Sequence, residues 1–301
     1  MKPALLLATR KLLSSIPATL PKVWIALLAF TLFSTAAHAT PPSLVYVVTA
    51  GANGPQFGAV DLADGKFLPI GKPAPAELAT LVWWKGSLLS LAVSDPYAGD
   101  LVQINPVDGE ITVIGATGLG YNAFSLAELK GKLYLTDFSG NLYTVDPYTG
   151  AATLFAATGM PSDAAVPFTT NPNGTLNLCD QTFYSVGGSL YVTFDAFNID
   201  PATLVIDKDP TDPSVGPALY RINPSTGAAT MVAPTYLQLG ATIALGGKFY
   251  AFRLSPIGFA DGAPTAISEI YTLDLSNGQP TFLRIVDPAA GIIFGAAPVT
   301  P

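Results

Sequence analysis

The chain has 301 residues, 50% hydrophobic and only 12% charged, and its 14 Lys+Arg against 21 Asp+Glu leave a net charge of −7. So apolar a composition excludes a disordered chain, and the negative balance disfavours nucleic acid and anionic membrane surfaces as partners. One cysteine and one histidine exclude a disulfide framework and a histidine-built metal centre.

Lys2, Arg10, Lys11 and Lys22 lead into the apolar run VWIALLAFTLF (residues 23–33) and the small-residue site Ala37-His38-Ala39, the layout of a secretory signal peptide. The run is too short for a comfortable membrane span. No Cys follows it, which argues against a lipoprotein anchor, and Arg10-Lys11 lacks the second Arg of a twin-arginine signal. Residues 1–39 are therefore expected to be a signal peptide and residues 40–301 a single domain that is secreted or periplasmic, with no membrane anchor after cleavage. Cleavage would remove four of the 14 basic residues and none of the acidic ones, so the remainder is more acidic than the whole. His38 leaves too, and with it any Ser-His-Asp triad or Cys-His pair.

A unit recurs through the rest. Aligned on an Asp or Asn it reads AVDLADGKF at Asp61, QINPVDGEI at Asn105, TVDPYTGAA at Asp146, RINPSTGAA at Asn223 and TLDLSNGQP at Asp274. Each copy has Gly four residues on, at Gly65, Gly109, Gly150, Gly227 and Gly278. An Asx side chain accepts from the N–H two residues on, and Gly takes the positive-φ position of a bulged hairpin, so each copy predicts two antiparallel strands. The Asx positions lie 44, 41, 77 and 51 residues apart, a blade-sized period with one gap stretched by insertions.

Tight turns at Lys85-Gly86, Lys130-Gly131, Gly187-Gly188 and Gly246-Gly247, with apolar runs on both sides, add a second hairpin to each of the last four copies. Four strands per repeat and five repeats predict an all-β, five-bladed β-propeller with four-stranded blades. SLVYVVTA (residues 43–50) matches a second strand and has no first strand before it, whereas GIIFGAAPV (residues 291–299) reads as an inner strand with nothing after it. The C-terminal strand is therefore expected to complete the first blade and close the ring.

Both families of short turns would share one face. The long connections, 94–100, 159–180, 195–218 and 254–269, would share the other, which is the candidate functional face. Nine residues before the turn glycines stand Glu77, Asn122, Cys179 and Gln238, with Asp180 beside Cys179, and Asp287 precedes the closing strand. Glu77, Asn122, Asp180, Gln238 and Asp287 are thus a candidate polar ring at the channel mouth, able to hold a cation, a sugar or water. Asp195, Asp200, Asp207, Asp209 and Asp212, with Asn198, form an oxygen-rich loop. From it Asp200, Asp207, Asp209 and Asp212 are a candidate calcium set, though Lys208 and the absence of an EF-hand Gly and Glu speak for a solvated loop. Cys179 reads as a buried small side chain. Trp83, Trp84 and the tyrosines Tyr134, Tyr143, Tyr191, Tyr220, Tyr250 and Tyr271 read as packing between blades rather than a sugar-stacking surface.

The LYxINPxTGxxT copies at residues 142–153 and 219–230 resemble the repeats of secreted bacterial β-propellers of the broad NHL, YVTN and quinoprotein-like group. That resemblance implies an architecture shared by binding proteins, lactonases and quinoprotein dehydrogenases. The tryptophan-docking repeats of the dehydrogenases are absent, since Gly150 and Gly227 are followed by Ala-Ala-Thr, which disfavours a quinone cofactor. The favoured expectation is a non-enzymatic propeller that binds a small molecule, glycan or protein on the long-loop face, with no cofactor unless calcium. The alternative is a propeller glycoside hydrolase with Glu77, Asp180 and Asp287 as its carboxylates; Glu128 lies too near the short-turn face to join them.

Overall fold

The structure is a computed structural model that describes residues 43–51, 53–160, 176–199, 206–207, 217–235, 237, 239–260 and 263–300. For 176–180, 195–199, 206–207, 254–260 and 263–266 the backbone alone is described. The signal-peptide reading of residues 1–39 lies outside them.

The strands in chain order are β1 (Leu44–Gly51), β2 (Gly54–Asp61), β3 (Phe67–Pro69), β4 (Leu78–Trp84), β5 (Ser87–Ala92), β6 (Asp100–Ile104) and β7 (Ile111–Ala116). There follow β8 (Ala123–Leu129), β9 (Lys132–Asp137), β10 (Asn141–Val145), β11 (Ala152–Ala157), β12 (Leu176–Val186), β13 (Ser189–Ile199) and β14 (Ile206–Asp207). The last are β15 (Ala218–Ile222), β16 (Ala229–Pro234), β17 (Leu239–Leu245), β18 (Lys248–Ala260), β19 (Ala263–Leu273), β20 (Pro280–Ile285) and β21 (Ile292–Pro298). They form five antiparallel sheets, ordered β21-β1-β2-β3, β4-β5-β6-β7, β8-β9-β10-β11, β12-β13-β15-β16 and β17-β18-β19-β20, with β14 beside β13. This is a five-bladed propeller. The C-terminal β21 pairs with β1, Val45 opposite Pro298, so the first blade is completed by the end of the chain.

Each Asx residue does what its position demands. Asp61, Asn105, Asp146, Asn223 and Asp274 accept from the N–H two residues on at 2.8, 3.1, 2.8, 2.9 and 2.8 Å. Their carbonyls accept from the glycine N–H four residues on, at 2.7 or 2.8 Å in all five copies. The glycine has a second task. At Gly150, φ is +79° and an added Cβ would strike the Gly115 carbonyl on the outer strand of the preceding blade. Gly278 and Gly109 meet the neighbouring carbonyls of Pro234 and Ile70 in the same way, at 2.6 and 2.8 Å. Gly65 of the first blade packs on Ile285 of the last, so the ring closes at its outer edge as well. One residue type thus serves the local turn and the docking of blade on blade.

Five buried apolar clusters fill the interfaces between neighbouring blades. Tyr134 and Tyr220 are buried within them, and Tyr143, Tyr191 and Tyr250 pack against them. The indole N–H of Trp84 donates to the Gly131 carbonyl of the next blade at 3.0 Å, and that of Trp83 to Pro298 at 2.7 Å. Burying such rings with their polar ends satisfied is favourable on both counts.

Hydroxyls stitch the inner strands together. Thr80 Oγ1 donates to the Leu126 carbonyl at 3.1 Å, Ser125 Oγ accepts from the Phe183 N–H at 2.9 Å, and Thr242 reaches Thr182 at 3.4 Å. Between the last and first blades, Ser268 Oγ donates to Gly291 O and accepts from the Ile293 N–H. Between the first and second, Gly295 lies so close to Thr80 that a Cβ would come within 2.6 Å of its Cα.

Of the expected long connections, 254–269 is strand at every described residue, and residues 176–180 of 159–180 and 195–199 of 195–218 are strand as well. Residues 254–260 and 263–268 continue β18 and β19, which pair at ten positions, against four for β5 with β6. Of 195–218, residues 195–199 extend β13, which pairs with β12 at eleven positions. Blades four and five therefore each carry a two-stranded arm. Pro256, Gly258 and Pro264 read as breakers in sequence, yet in a hairpin that outruns its sheet the outer edges have no ladder to disturb.

Candidate binding surfaces

The strand order puts every first-to-second and third-to-fourth turn at one end of the propeller. The starts of the inner strands β4, β8, β12 and β17 lie at the other end, with both arms. Of the candidate mouth residues, Glu77 and Asn122 immediately precede β4 and β8 and Asp287 stands before β21, whereas Asp180 lies inside β12 rather than at its start. The side chain of Asp180 and all of Gln238 lie outside the described residues. So do Asp200, Asp209 and Asp212 of the calcium set, while Asp207 is described only as backbone in β14.

Glu77, Asn122 and Asp287 are exposed. Asp287 is already employed, its Oδ1 accepting from the Ala289 N–H at 3.0 Å to cap the short helical turn Pro288–Ala290. Glu77 is drawn to the loop after β5, its N–H donating to Ser94 Oγ at 2.8 Å and its carbonyl accepting from Val93. On that loop Asp95 accepts from the hydroxyl of Tyr121 at 2.8 Å, and this bond, more than burial or charge, raises the Tyr121 pKa. Glu77, Asp95, Tyr121 and Asn122 thus come together on the long-loop face of the second and third blades. Asp95 and Tyr121 escaped the sequence reading because neither sits in the repeat register. The only signal was an Asp and an exposed Tyr in adjoining loops.

A cavity of about 260 Å³ lies between the inner strands, toward their short-turn ends. Glu77, Asn122 and Asp287, the candidate mouth residues whose side chains are described, do not line it, and Glu128, set aside as too near the short-turn face, does. Glu128 also accepts from the Gly131 N–H of its turn.

Two carboxylates are tied into the blades. Asp137, 5% exposed, accepts from the Asn141 N–H, the Asn141 amide and the Tyr143 hydroxyl at 2.8, 3.0 and 2.9 Å. Burial first and Asp137 second push the Tyr143 pKa up to about 12. Glu269 accepts from Arg253 at 3.2 Å and from the Tyr271 hydroxyl at 2.9 Å, and burial again leads in raising the Tyr271 pKa. These are supports for the strands. Among the described residues there is no grouping of three or more His, Cys, Asp or Glu fit to hold a metal ion, and no helix long and apolar enough to cross a membrane.

No family model matches the chain, and no curated protein matches it. Among solved structures it is similar to the computationally designed Ika8 protein, at 13% identity and a TM-score of 0.33, over 85% of this chain and 63% of that one. It is also similar to a structural genomics protein of unknown function from Bacteroides thetaiotaomicron, at 14% identity and a TM-score of 0.42, over 79% and 56%. The chain spans less than two thirds of the length of either.

Proposed function

We propose that the protein is a secreted or periplasmic, non-enzymatic β-propeller of the broad NHL, YVTN and quinoprotein-like group that binds a small molecule, glycan or protein on its long-loop face. The observation that supports this most is the inequality of the two faces. One is made of short turns whose Asx side chains are bonded within their own hairpins. The other carries the arms of the fourth and fifth blades and the exposed group Glu77, Asp95, Tyr121 and Asn122. Rigid strands that raise backbone beyond a packed scaffold are a common platform for recognition. Residues 1–39 act as the export signal and residues 40–301 as the mature domain. Calcium is the one ion the reading admits, held by the 200–212 loop and contributing stability rather than chemistry.

The experiment is an array of glycans, peptides and small metabolites probed with the purified protein and with a variant in which residues 256–266 are replaced by a two-residue turn. Binding present in the first and lost in the second supports the reading. Binding that survives the removal unchanged, together with Glu77→Ala and Asn122→Ala, would place recognition elsewhere.

A further inference from the structure

The channel cavity has a chemistry distinct from that of the long-loop face. Its rim takes one residue from each blade: Trp83, Glu128, Ser185, Ala244 and Pro298, all half-buried or exposed. Its deeper wall is the hydroxyl level of Thr80, Ser125, Thr182 and Thr242, all at most 8% exposed, with Gly295 leaving the fifth position bare. Thr80 holds φ at +62°, an unfavourable conformation for a β-branched residue, in a bulge whose carbonyl accepts from Ser90 Oγ at 2.8 Å.

Among the described residues the lining contains no Lys, Arg or His and no side-chain amide, and Glu128 is its one carboxylate. Thr80, Thr182 and Thr242 spend their hydroxyls on neighbouring strands or on one another. The cup therefore offers acceptors and a negative charge but few free side-chain donors. A neutral sugar, whose hydroxyls need both, is poorly served, and an anion meets only Glu128. A cation with donors of its own is well matched, because its charge finds the half-buried carboxylate and its carbon skeleton finds apolar walls. An indole at the rim adds attraction for a positive charge. Trp83 is held there by its bond to Pro298. The volume corresponds to about eight water-sized groups, enough for a short alkylammonium ion.

We propose that the short-turn end of the channel is a second binding site, one that takes a small organic ammonium ion against Glu128. It goes beyond the long-loop reading and stands or falls separately from it. Glu128 is placed for this by the turn that follows it, since its bond to the Gly131 N–H fixes the carboxylate at the rim.

Calorimetric or NMR titration of the purified protein with n-butylammonium and tetramethylammonium tests it, with glucose and butyrate as controls. Saturable binding of an ammonium probe is expected, weakened at least tenfold by Glu128→Gln, blocked by Ala244→Trp and unchanged by Glu77→Ala. Glu128→Gln keeps an oxygen for the Gly131 N–H, and an unchanged melting midpoint shows that the fold is intact. Equal ammonium affinity in Glu128→Gln, tighter binding of glucose or butyrate, or no saturation by any ammonium probe up to millimolar concentration would overturn the proposal.

Discussion

Substituting Ala for Gly150 separates the two tasks of the turn glycine. An alanine at φ +79° costs about 1–2 kcal/mol in backbone conformation alone. Its Cβ would also strike the Gly115 carbonyl, which is backbone and yields only if the third blade tilts away from the second. Overpacking of that kind adds about 1–3 kcal/mol. Gly86 supplies the control, because its φ is +84° and an added Cβ meets nothing within 4 Å. Gly86→Ala should therefore lose only the first amount. At about 2–4 °C per kcal/mol for a domain near this size, the loss in melting midpoint should be roughly twice as large for Gly150→Ala. Scanning calorimetry of the two variants and the parent measures it. Equal losses would show that the glycine answers to its turn alone and that blade docking does not depend on it.

Removal of residues 291–301 should leave the ring open and expose the edge of β1, giving a protein that aggregates and melts without cooperativity; a truncation that melts like the parent would contradict closure by β21. Tyr184→Phe should be neutral or stabilising by up to about 1 kcal/mol, since the buried Tyr184 hydroxyl has no partner among the described residues, and a clear loss in chemical denaturation would reveal a hidden one. Tyr143 is held neutral by burial and by Asp137, so its pKa in the fold lies above its unfolded value near 10. The stability it contributes is full below pH 10 and lost as pH rises toward 12. Tyrosine absorbance should show Tyr143 among the late-ionising tyrosines of the parent, with one late-ionising tyrosine fewer in Tyr143→Phe. Calcium should raise the melting midpoint modestly over chelator, and identical midpoints would leave the 200–212 loop merely solvated.

The repeat was legible because turn chemistry is local. An Asx side chain, the N–H two residues on and a positive-φ glycine are satisfied within six residues, so Asp61 through Gly278 could be read without knowing what packed on them. Other registers were present and unread. Asp64, Asp108, Thr149, Thr226 and Asn277 each accept from the N–H two residues on, a second bond in every turn. Thr117 and Thr158 follow their Asx residues by twelve positions and donate to Gly99 and Gly140 at 2.6 Å. Thr80, Ser125 and Thr182 stand six before their turn glycines, yet a hydroxyl in an apolar strand looks like any β-branched filler until its partner on the next blade is known. The arms were missed because Pro256 and Pro264 obey edge rules rather than central-strand rules. The cavity between the inner strands was unreadable from any single repeat, since it depends on how five inner strands meet. Counting back from the turns drew attention to the opposite end of those strands.

The central claim is that the protein binds and does not turn over. Incubating the purified protein with oligosaccharides and lactones, and following products by mass spectrometry, tests it most directly. The account predicts no product from the parent, from Glu77→Ala or from Asp180→Ala. Product formed by the parent and lost in either variant would contradict it and install a carboxylate-based hydrolase in its place.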